Sequence, residues 1–228
     1  MGVELKVNTE DVKRVLRESI DSARSVLDEL DQAREELIRL SREAIRESGR
    51  AIVEVHRGDL ESALRHMERC EDATMKLLSL ASGYPQLLYT GLVNNAVSEY
   101  VEARLFISIV VEGRLPGYGE LAGRGVPLVP YLQGLGDLVG EIKRLSLELV
   151  REGRYNDAWA LLEVAEAVYL ELQSLDYPDA LLPGVRRKAD VARRIVDDLK
   201  AMLVDLGKRD ELARLLRENL EALGAGHH

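Results

Sequence analysis

Apolar residues recur at helical intervals along almost the whole chain. Asn8 and Thr9 offer a cap, Glu10 and Asp11 put acids in a first turn, and Val12, Val15, Leu16, Ile20, Ala23 and Leu27 keep the helical period after them. This first helix is expected to end near Leu30. Asp31 is placed to cap a second, carrying Leu37, Leu40, Ala44, Ile45, Ile52 and Val55 on one side until Gly58 stops it. Asp59 caps a third helix, to about Ala81, and Gly83, Tyr84 and Pro85 turn the chain into a fourth over 86–111. The Gly/Pro-rich stretch 112–127 reads as a loop with room for one short helical turn. A fifth helix is expected over 130–152, a sixth from an Asn156/Asp157 cap to about Leu175, and a seventh over 185–206, with 209–223 a last short or frayed helix.

Alternating strand patterns and Asn-Gly or Asp-Gly hairpin turns do not occur. The predicted class is all-α, about seven helices in an antiparallel helical bundle. It is read as one helical domain over 1–223 followed by a flexible end at 224–228, whose two histidines are open to being tag residues. The joints at 57–63 and 152–158 look alike, but their separation is too large for a solenoid period.

Charge changes this picture in two places. The chain is 31% Asp, Glu, Lys and Arg, yet over 86–111 the only carboxylates are Glu99 and Glu102, and over 125–140 the only charged side chain is Asp137, with Glu141 next. These segments read as interior or interfacial helices, where a carboxylate needs an explanation. At about 100° per residue, Glu99 and Glu102 share one helical face and Asp137 and Glu141 share another. If the two helices pack together the four acids converge, at a cost that a cation or a proton must offset. Mg²⁺, or Mn²⁺, suits an all-oxygen set and can polarise a phosphate and activate water. The residues alone leave a second reading open, in which the acids pair with Arg104, Lys143 or Arg144.

The net charge of −9 opposes bulk attraction to nucleic acid or to an anionic membrane, so such a partner must meet a local basic patch. The second helix supplies one: Arg39, Arg46, Arg50 and Arg57 fall near one line, with Arg42 about 60° away. They can follow a phosphate backbone, or they can form a solvated face paired with Glu35, Glu43, Glu47 and Glu54. The single Cys70 excludes an internal disulfide and a cysteine zinc site, which fits a reducing, cytoplasmic setting. Neither a signal peptide nor a spanning helix is expected, and Lys6 sits where a myristoylation motif needs Ser or Thr. His56 and His66 read as surface or capping residues. Gly134, Gly136 and Gly140 read as sites of close helix approach, and Tyr84, Tyr89, Tyr100 and Tyr131 as core residues with hydrogen-bonded tips.

The run Ser98, Glu99, Tyr100, Val101, Glu102, followed by Gly136, Asp137, Leu138, Val139, Gly140, Glu141, resembles the translin superfamily. It is closer to the translin-associated factor X (TRAX) branch than to translin itself. The likeness extends in order through Val55, His56 and Arg57, Val129 to Gly134, and Arg186 to Asp190. It implies an all-α fold assembled into a hollow homo-oligomer, often an octamer, that holds single-stranded RNA, with single-stranded DNA as an alternative cargo. It also implies Mg²⁺-dependent endoribonuclease activity, with Glu99, Glu102 and Asp137 matching the catalytic acids and Glu141 supporting the metal. Translin's basic, histidine-containing stretch would fall near 91–98, which carries no positive charge here. RNA contacts are then expected from Arg39, Arg42, Arg46, Arg50 and Arg57. The alternative is a non-catalytic, translin-like protein that binds single-stranded nucleic acid.

Overall fold

The computed structural model describes residues 7–225, which carry eight α-helices and no strand. The order is α1 (Thr9–Arg57), α2 (Leu60–Ser82), α3 (Pro85–Leu88), α4 (Gly91–Ile107), α5 (Tyr118–Ala122), α6 (Leu128–Arg151), α7 (Tyr155–Gln173) and α8 (Val185–Ala225). α1 packs on α2 and α4; α6 packs on α4, α7 and α8. Their shared interior includes Leu37, Ala44, Leu77, Tyr100, Phe106, Leu138, Ile142, Leu162 and Leu199. None of these helices is long and apolar enough to cross a membrane.

Two look-alike joints make the antiparallel turns. Gly58 at φ +79° and Gly153 at φ +78° both take the left-handed conformation that a side chain would strain. At the first, the N–H of Gly58 donates to Val55 and that of Asp59 to Glu54; at the second, Gly153 donates to Val150 and Arg154 to Leu149. This is the same helix-stopping motif used twice. Asp59 then caps α2 as expected, accepting from the Ser62 N–H at 2.9 Å.

Three expected boundaries are corrected. The helix break at Leu30/Asp31 does not exist: with neither Gly nor Pro there, α1 runs unbroken through it. Its first half, carrying Val12, Val15, Leu16, Ile20 and Leu27, projects exposed, and the burial of α1 begins at Ala33. The expected fourth helix divides instead. Thr90 Oγ1 donates to the Leu87 carbonyl and closes α3, Gly91 opens α4, and the far end relaxes into a π-helical turn at Ser108–Glu112. The gap expected between 206 and 209 is also absent: α8 continues through Gly207, and Arg209 pairs back to Asp205 across it. Within the expected flexible end, Gly224 and Ala225 belong to α8; residues 226–228 and the Lys6 position lie outside the described residues.

The contact that governs the site is the approach of α4 to α6. A Cβ on Gly134 would stand 2.7 Å from Val101 Cγ1 and 2.9 Å from the Ser98 carbonyl oxygen; one on Gly136 would stand 2.7 Å from Lys188 Cβ. Both glycines are therefore required where helices touch, as anticipated, whereas Gly140 faces open space. Gly134→Ala is expected to cost about 1–3 kcal/mol by forcing α4 and α6 apart. Gly140→Ala should be neutral or stabilise by up to about 1 kcal/mol. Urea unfolding of both variants checks the contrast, and equal stability for the two would contradict the close approach.

Candidate acidic site between two helices

Val101, seated against Gly134, lies between Glu99 and Glu102 on α4, and Asp137 and Glu141 lie one and two turns farther along α6. The close approach thus brings the two acid pairs to one seam. Each acid of α4 responds to both on α6. The Glu102 carboxyl is pushed up to about 8, first by burial and then by the charges of Asp137, Glu99 and Glu141. Glu99 is also raised, by burial and then by Asp137, while Lys188 pulls both back toward ionisation.

Of the expected neutralising partners only Arg144 reaches one of the four acids. Arg104 pairs with Glu112 at 3.3 Å and Lys143 with Asp198 at 3.4 Å, away from the acids. Arg144 stands 3.9 Å from Glu141 at the site's edge. Asp137 instead meets the Nζ of Lys188, which arrives from α8. Among the described residues neither Glu99 nor Glu102 is held by an ion pair.

His56 corrects its reading as a surface or capping residue. Its side chain is 3% exposed and bridges two acids of α6, with Nε2 2.6 Å from Glu141 and Nδ1 3.3 Å from Glu148. The ring packs on Phe106 at a centroid distance of 5.1 Å. His56 thus fixes the orientation of Glu141 from a different helix. A signal for it was present: Glu148 follows Glu141 by two helical turns on one face of α6. His66 likewise is no simple surface residue, since its Nδ1 lies 2.7 Å from buried Glu47. Burial alone would raise Glu47, but the bonds from His66 and Arg46 and the charge of Arg50 bring it below the usual carboxylate range.

The arginine line is exposed, and much of it is already paired. Arg39 binds Glu36 and Glu43, Arg46 and Arg50 share Glu47, and Arg57 binds Glu54. Arg42 is exposed and makes no ion pair with a described residue. Of the tyrosines, Tyr131 donates to the Pro116 carbonyl at 3.1 Å and fits its reading. Tyr100 is fully buried with its hydroxyl unpartnered, and Tyr89 is exposed.

The oxygen-only chemistry of Glu99, Glu102, Asp137 and Glu141 fits a hard divalent cation. Among the described residues, however, no three ligand-type side chains converge into a finished metal cluster. Like charges with no cation between them are expected to stand apart in this way.

The raised Glu102 has a consequence for stability. Between its ordinary value of 4.5 and about 8, the unfolded chain has released a proton that the folded protein still holds. Rising pH in that window therefore favours unfolding. In EDTA, the melting temperature of the wild type should fall from about pH 5 to pH 8, and that of Glu102→Gln, which cannot ionise, should fall less. Equal pH slopes for the two proteins would contradict the assignment.

Comparison with known proteins agrees with this architecture. The chain is 27% identical over 190 residues to an uncharacterized protein of Methanocaldococcus jannaschii, covering 81% of this chain and 83% of that one. It superposes on AfC3PO in a complex with duplex RNA with a TM-score of 0.76 and 31% identity, covering 86% of this chain and 98% of the other. Apo-NeC3PO gives a TM-score of 0.73 at 25% identity, with 89% and 98% covered. Residues 32–206, most of the bundle and all of the acidic seam, match the Translin family, and the chain belongs to it.

Proposed function

We propose that this protein is a metal-dependent endoribonuclease of the factor X type, cutting single-stranded RNA with Mg²⁺, or Mn²⁺, held by Glu99, Glu102, Asp137 and Glu141. The observation that carries the reading is the α4–α6 seam itself. Among the described residues two carboxylates lie half-buried without an ion pair, one with its pKa pushed up to about 8, facing two more across a glycine contact. A purely structural arrangement would match each half-buried carboxylate with a cation in place, and among the described residues Glu99 and Glu102 have none. AfC3PO, of the same fold, is known in a complex with duplex RNA, which supports RNA as the ligand class.

In this reading Glu99, Glu102, Asp137 and Glu141 would hold the ion, with His56 orienting Glu141. When bound, the ion would supply Lewis acidity toward a phosphate oxygen and an activated water. Arg42 offers an exposed guanidinium for the strand, and Arg39, Arg46, Arg50 and Arg57 exchange a glutamate for a phosphate at little cost, since exposed ion pairs are weak. Such contacts position a backbone without reading its sequence.

The exposed apolar line on the first half of α1 supports assembly into a homo-oligomer, an octameric shell by analogy with the family resemblance, and the single Cys70 suits a cytoplasmic setting. The alternative is a non-catalytic, translin-like protein that binds single-stranded nucleic acid, in which the seam acids carry no metal.

Incubation of the purified protein with end-labelled single-stranded and duplex RNA, in Mg²⁺ and in EDTA, separates these readings. Cleavage of the single strand is expected in Mg²⁺ only, reduced by about a hundredfold or more in Glu99→Ala and Glu102→Gln while RNA binding persists. RNA bound but uncut in every condition would establish the binding protein instead.

A further inference from the structure

Lys188 stands at the acidic seam through three separate constraints. The start of α8 is tied to α6 where Gln133 Nε2 donates to the Pro183 carbonyl at 2.8 Å. Gly184, at φ +74°, turns the chain into the helix, and its carbonyl accepts from the Lys188 N–H at 3.1 Å. Gly136 then leaves bare the surface on which the Lys188 stem lies, since a Cβ there would meet Lys188 Cβ at 2.7 Å. The backbone of α6 is thus shaped to admit this one side chain beside Asp137.

The ammonium so placed is paired with Asp137, and its charge also opposes the upward shift of Glu99 and Glu102. The other cations close in sequence, Arg104 and Lys143, are engaged elsewhere, and Arg144 reaches only Glu141. Lys188 is therefore the cation paired with Asp137 at the seam. Lys188 and Asp137 are also accessible, at 27% and 26% side-chain exposure, so solvent and ions reach the pair directly.

We propose that Lys188 is the resident counter-ion of the metal-free site, and that a divalent cation enters by displacing its ammonium from Asp137. This rests on the reading of Glu99, Glu102 and Asp137 as metal ligands. A dication bound to Asp137 repels an ammonium held on the same carboxylate, so metal binding drives the Lys188 ammonium off Asp137. A flexible four-carbon stem lets the charged end swing outward while the methylenes stay on Gly136. The displaced charge then lies beside the site, free to meet an incoming phosphate.

Titration of wild type, Lys188→Met and Lys188→Arg with Mn²⁺, following the free-ion electron paramagnetic resonance signal at neutral pH, tests this. Lys188→Met keeps the stem against Gly136 and removes the competing charge, so it should bind Mn²⁺ about tenfold more tightly than wild type. Lys188→Arg should stay close to wild type. In EDTA, Lys188→Met should melt at lower temperature than wild type, and Mn²⁺ should close the gap; if the variant is unfolded in EDTA, Mn²⁺ should refold it. Equal or weaker binding by Lys188→Met, or failure of Mn²⁺ to recover its stability, would overturn the inference while leaving the metal site in place. Tighter binding by Lys188→Arg would overturn the charge argument. A wild type that takes up no Mn²⁺ would defeat the metal reading and this inference with it.

Discussion

Everything proposed for this molecule depends on how closely α4 and α6 approach. Helices separated by ordinary side chains would leave Glu99 and Glu102 room to turn into solvent, where four carboxylates are ordinary surface charges. The bare backbone at Gly134 lets Val101 and the Ser98 carbonyl settle against α6 instead, and the flanking acids are carried inward with them. Burial then does what mutual repulsion alone does weakly: it makes the ionised form of Glu102 costly and raises its pKa to about 8. The packing thereby creates an electrostatic demand that only a proton, an ammonium or a metal ion meets.

The surrounding helices answer that demand unequally. α1 sends His56 to hold Glu141 and Glu148, and α8 sends Lys188 to Asp137, so α6 is supported from two sides. The acids of α4 receive no such partner among the described residues. This asymmetry separates the site from a structural ion-pair network, in which each buried charge is matched in place. It also explains why the four acids influence one another without being gathered into a finished cluster.

The helical class, the αL glycine joints and the acid pairs were legible in the sequence because each rests on local pattern. Gly58 and Gly153 end their helices as the sequence implied, and the depletion of charge around Glu99, Glu102 and Asp137 marked the buried seam before any coordinates. The boundary misplaced at Asp31 has a physical cause: a capping residue permits a helix to start but does not force one to stop, and α1 continues where no glycine or proline intervenes. Lys188 and His56 were missed for a different reason. Each acts on a helix far away in sequence, and no periodicity within α8 or α1 reveals which partner it will meet. Arg104, Lys143 and Arg144 were considered because they lay near the acids in sequence, yet two of them point to other acids.

The central claim is that the α4–α6 seam binds a divalent cation. Crystals soaked in Mn²⁺ and measured at the manganese absorption edge test it most directly. The account predicts an anomalous peak between α4 and α6, within about 2.0–2.6 Å of oxygens from Glu99, Glu102 and Asp137, with Lys188 Nζ withdrawn from Asp137. A seam without a peak, with Lys188 still on Asp137 while Mn²⁺ occupies other carboxylates of the same crystal, would contradict it.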